Sequence, residues 1–99
     1  EDLALAPEDI GYCFKPLGCA VVALKHICKS EENFLQATTS IMRKGGDADT
    51  NATVACAVMG AALGETGLPQ VWLNSLKHPF GDWLRFATDE FYERVKTNR

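Results

Sequence analysis

Apolar residues recur at spacings of three and four along most of the chain, and that period predicts helices. Leu17, Ala20, Val21, Leu24, Ile27 and Cys28 mark an amphipathic helix over 16–29. Pro16 suits its first turn, while Lys25, His26 and Lys29 face the negative end of its dipole. Val21-Val22-Ala23-Leu24 alone also fits a buried strand, but the helical period continues past both its ends. Ser30 is the expected N-cap of a second helix, with Glu31 and Glu32 in its first turn and Phe34, Ala37, Thr38 and Ile41 on one face to Arg43. Gly45-Gly46 ends it. Ala52 to Leu63 is built almost wholly of Ala, Val, Cys, Met and Gly, so it is expected to be a central helix buried all round. Gly64 to Gly67 stops it, Pro69 opens a short segment through Leu76, and His78-Pro79-Phe80-Gly81 makes a second break. Asp82 is the expected cap of a last helix ending near Lys96, with Leu84, Ala87, Phe91 and Val95 as its stripe. Residues 1–15 read as a connector and 16–96 as helical, giving a single all-α segment over 1–99, a compact bundle of five helices or four and a turn.

Composition narrows the class of function. With 46% hydrophobic and 23% charged residues, the chain is neither disordered nor fibrous. Ten Lys and Arg stand against thirteen Asp and Glu, and no basic cluster exceeds Arg43-Lys44, so no nucleic-acid surface is expected. The longest uncharged apolar run, Val54 to Leu63, is half of what a membrane span needs. The opening residues are acidic where an export signal is basic and then apolar. Cysteines at 13, 19, 28 and 56 form no CxxC pair, which argues against structural zinc. Cys19, Cys28 and Cys56 fall in apolar helical patterns and are expected to be reduced, mostly buried thiols in a reducing, cytoplasmic setting.

One stretch concentrates polar groups within this apolar setting: Gly45-Gly46-Asp47-Ala48-Asp49-Thr50. Two carboxylates and a hydroxyl, exposed by glycines at the mouth of a helix, suit a hard cation. The helix N-terminus favours their ionised form. A simpler reading stands beside this one, in which Asp49 or Thr50 caps the helix and Asp47 closes the turn. An EF-hand is excluded, because its sixth position holds Ala52 and its twelfth Val58. A phosphate-binding P-loop is excluded because no Lys precedes Thr50. His26 and His78 read as solvated or capping residues, and Ser40 and Ser75 have no His-Asp partners in the sequence. Trp72, Phe80, Trp83 and Phe86 read as core.

The run from Gly45 to Asn51, the Ala-rich helix with Gly60-Ala61 and Gly64, then Leu68-Pro69 and Trp72, resembles the C-terminal signature of the ADP-ribosylglycohydrolase family. The helix from Pro16 and the Glu-Asn-Phe-Leu-Gln-Ala run at 32–37 are similar to the helix pair leading into it, so the resemblance covers most of residues 10–76. It implies an all-α fold holding two magnesium ions that bind the ribose hydroxyls of an ADP-ribosyl group and assist cleavage at its anomeric carbon. Asp47, Asp49 and Thr50 match the family's C-terminal metal ligands, with the two aspartates serving catalysis. Gly45 and Gly46 match the turn where backbone approaches the substrate. ADP-ribose or an ADP-ribosylated substrate is the implied partner.

The family's Thr-Asp-Asp cluster and N-terminal acidic residue have no counterpart here; Glu8-Asp9 stands in the wrong place. Together with the start at Glu1, this gives the expectation that the chain is the C-terminal portion of a longer enzyme. It would need the N-terminal portion of the same protein to complete the dimetal site, and alone would be inactive. Two other readings stay open. One is a non-catalytic relative serving as a structural or assembly component, and the other is a small helical interaction domain in which the Asp-Ala-Asp-Thr turn is only a cap.

Overall fold

The computed structural model describes residues 13–29, 33–76 and 78–98, and all regular structure within them is helical. Helices α1 (Phe14–Lys29), α2 (Phe34–Arg43) and α3 (Ala48–Leu63) are followed by a 3-10 turn at Glu65–Gly67, then α4 (Gln70–Ser75) and α5 (Phe80–Thr97). The all-α reading holds. No helix among the described residues is long and apolar enough to cross a membrane.

Helix boundaries follow local capping chemistry more closely than the apolar period suggests. Helix α1 begins at Phe14, two residues before Pro16, which still lies in the first turn, where a missing N–H costs no intrahelical bond. Helix α2 is capped by Asn33 and not by Ser30, which, with Glu31 and Glu32, lies outside the described residues. Asn33 Oδ1 accepts the Gln36 N–H at 2.9 Å, and Gln36 Oε1 accepts the Asn33 N–H at 2.9 Å. This reciprocal box satisfies two otherwise orphaned donors and fixes where the helix starts. Helix α3 begins at Ala48, four residues before the expected Ala52, so the polar run is largely its first turn.

The chain divides into two units, Glu1–Pro69 and Gln70–Arg99. In the first, α3 packs against both α1 and α2. Cys19 and Ala23 of α1, Phe34, Ala37 and Ile41 of α2, and Ala55 and Met59 of α3 form its core, with Val22, Ile27, Cys56 and Leu68 packed against them. Small residues let the helices approach closely, and Ile41 and Met59 supply the bulk between them. Thr38 Oγ1 donates to Phe34 O at 2.7 Å and lies 3.4 Å from Cys56 Sγ, tying α2 to α3. Helix α3 is central in this unit but is not buried all round. Only Asn51, Ala55 and Met59 are buried, because α1 and α2 cover a single face.

Burial of the cysteines also departs from the sequence reading. All four are free thiols; Cys19 is buried and Cys56 half-buried, whereas Cys13 and Cys28 are exposed. Burial pushes the Cys19 thiol above its ordinary pKa, opposed by the Lys44 charge. A neutral, enclosed thiol of this kind acts as a small apolar side chain.

In the second unit, α5 starts at Phe80 and not at Asp82, with Pro79 in the cap position after a cis His78-Pro79 peptide. Asp82 falls in the first turn, where its Oδ2 lies 2.5 Å from His78 Nδ1. None of the described residues of α4 or α5 is buried. Trp72, Phe80, Trp83, Phe86, Phe91 and Val95 are therefore exposed, not core residues. A 3.6-residue period identifies an apolar face without identifying what covers it.

Candidate functional site

Two glycines turn the chain from α2 into α3. Gly45 and Gly46 have φ of 79° and 67°, left-handed values that glycine adopts without the Cβ penalty of other residues. Nothing lies within 4 Å of where a Cβ on Gly45 would stand, so the requirement there is backbone conformation and not crowding. The same open space leaves the Gly45 backbone approachable.

The turn delivers Asp47 to the N-cap position of α3 and Asp49 and Thr50 to its first turn. Asp47 is half-buried; Asp49 and Thr50 are exposed. The Asp47 side chain makes no capping bond to the helix, although its carbonyl accepts the Asn51 N–H at 2.9 Å. The Asp49 carboxylate accepts the Thr50 N–H at 3.0 Å, and Thr53 Oγ1 donates to the Asp49 carbonyl at 2.7 Å. Hydrogen bonding with the Asp47 side chain, then with the backbone N–H groups of Thr50 and Asp49 itself, holds the Asp49 carboxyl below the ordinary aspartate range. The two carboxyl groups thus stand two residues apart at one helix end, Asp47 half-buried and Asp49 exposed. Helix-end N–H groups favour the charged form.

The capping reading is met in part, through the Thr50 N–H that the Asp49 carboxylate accepts. In the capping reading Asp49 or Thr50 precedes the helix, but both lie inside it, and the residue in the cap position leaves its carboxylate unengaged by the helix N–H groups. The three side chains present only oxygen, the donor that hard divalent cations prefer over nitrogen or sulfur. Asp47, Asp49 and Thr50 therefore fit one side of such a site. Among the described residues no group of three or more His, Cys, Asp or Glu side chains comes together. His26, on α1, and His78, before α5, are not part of this group.

Comparison with known proteins extends the resemblance beyond the motif. The family model for ADP-ribosylglycohydrolase matches residues 1–99. The chain belongs to the ADP-ribosylglycohydrolase family. No curated protein and no solved structure matches it. The matched range includes α5, beyond the residues that carried the resemblance in the sequence.

One polar residue of this ADP-ribosylglycohydrolase segment drew no role from the sequence. Asn51 is 1% exposed, and neither its Oδ1 nor its Nδ2 has a hydrogen-bond partner among the described residues. With α3 expected to start at Ala52, Asn51 read as a turn residue. The signal available was its spacing of four and eight from Ala55 and Met59, which places all three on the buried face.

Proposed function

We propose that the chain supplies Asp47, Asp49 and Thr50 to the magnesium site of a hydrolase that removes ADP-ribosyl groups. The observation that carries this reading is the placing of Asp47 at the cap position and of Asp49 and Thr50 in the exposed first turn of α3, in a member of this family. Asp49, held below the ordinary aspartate range, is ionised at neutral pH and ready as a ligand. Asp47 stands beside it, and the Thr50 hydroxyl adds a neutral oxygen. The open space at Gly45 gives the ribose side of a substrate room to approach. Bound magnesium supplies Lewis acidity, polarising ribose hydroxyls and orienting a water for attack at the anomeric carbon.

Two carboxylates do not balance two divalent ions. The remaining acidic ligands of a two-ion site come, in this reading, from the N-terminal portion of the same protein, so the complete natural chain is the active species. The test is release of ADP-ribose from an ADP-ribosylated protein by that chain, with magnesium and after chelation. Asp47→Ala and Asp49→Ala should each lower the magnesium-dependent rate by roughly 10²-fold or more, the scale of losing an electrostatic partner of the transition state. Full activity in both variants contradicts the assignment. Inactivity of the natural chain itself favours the non-catalytic relative.

A further inference from the structure

We propose that Asn51 is a positioning residue for the Asp47 carboxylate, its buried carboxamide donating a hydrogen bond from Nδ2 that orients Asp47 when the site holds a divalent cation. This rests on the metal-site reading given above.

Three observations converge on it. Asn51 and Asp47 are joined across one turn, Asn51 N–H to Asp47 O at 2.9 Å, and residues four apart lie one above the other on a helix face. Helical side chains lean toward the N-terminus, so Asn51 leans toward the turn that carries Asp47. The Asn51 amide is available to Asp47: neither of its polar atoms has a partner among the described residues, and the Asp47 carboxylate makes no bond to the N–H groups of the helix end.

The third observation is the cost of having Asn at this position. A buried amide without a partner destabilises a fold, and an apolar side chain of similar size would remove that penalty. The other buried positions of the same face are the apolar Ala55 and Met59. The departure from apolar character comes only at the end of the face nearest Asp47. Carboxylates that ligate metals are themselves held by hydrogen bonds, and loss of such a partner typically weakens metal affinity about 10–100-fold. An amide placed beneath the carboxylate, donating without adding charge, suits that task. Asp49 has its own partners in Asp47 and two backbone N–H groups.

Manganese, as a spectroscopic substitute for magnesium, tests the proposal in the complete natural chain. Its Kd is followed by electron paramagnetic resonance, and thermal unfolding is measured without metal, for wild type, Asn51→Leu and Asn51→Ser. The expected result is manganese affinity weakened about tenfold or more in both variants, with the metal-free Tm of Asn51→Leu equal to or above wild type. Wild-type affinity in either folded variant overturns the positioning role and leaves the metal site standing. Loss of affinity in step with loss of Tm in both variants overturns it in favour of a structural role. If Asn51→Leu does not fold, Asn51→Ser decides by the same affinity criterion. A wild-type chain that binds no manganese removes the metal reading and this proposal together.

Discussion

Asp49 is the residue at which backbone position and electrostatics meet. Its pKa is lowered in the folded protein, so its contribution to stability is fully present above the ordinary aspartate value and is lost as pH falls through the lowered one. Carbon-detected NMR of the aspartate carboxyls should give a midpoint for Asp49 below that of an unfolded-chain aspartate; a midpoint at or above that value contradicts the local hydrogen bonding described for it. Gly45 tests the turn independently. With φ of 79° and open space around its missing Cβ, Gly45→Ala should destabilise by about 1–2 kcal/mol, the left-handed penalty of an ordinary residue, read as a lower urea midpoint. The sequence showed where polar groups concentrate, because glycines beside paired carboxylates stand out in an apolar setting. It hid Asn51, because a polar residue next to Asp47-Ala48-Asp49-Thr50 reads as more of the same turn until the true start of α3 is known.

Local capping and tertiary cover act together at the scale of elements, and they were unequally legible. The helix period located α1 to α3 and α5 by type, since that depends only on spacing within the element. Starts shifted where a capping interaction outweighed the period, as at Asn33 with Gln36. Asn33→Ala should therefore cost about 1 kcal/mol in stability, measured by urea unfolding. Met59→Ala, which empties a fully buried position where α3 packs, should cost more, about 2–5 kcal/mol. Equal effects from the two variants would contradict the core described for the first unit. Burial was less legible than helicity: the aromatic residues of α5 carry the apolar period of a core face, yet they are exposed.

At the scale of the molecule, the first unit brings the glycine turn, the paired aspartates and the buried Asn51 to one end of α3. The match to the ADP-ribosylglycohydrolase family extends over all 99 residues, including α5, which the resemblance in the sequence did not reach. The linkage between ADP-ribose and its acceptor has no signature in this motif, whose oxygen ligands would, in the proposed reading, address the cation and the ribose common to all such substrates. Calorimetric titration of ADP-ribose into the complete natural chain, with and without magnesium, bears most directly on the role of Asp47 and Asp49. The account predicts binding that requires magnesium and is abolished by Asp47→Ala and by Asp49→Ala in variants that remain folded. Binding of equal affinity without magnesium, or unchanged by both substitutions, would contradict it.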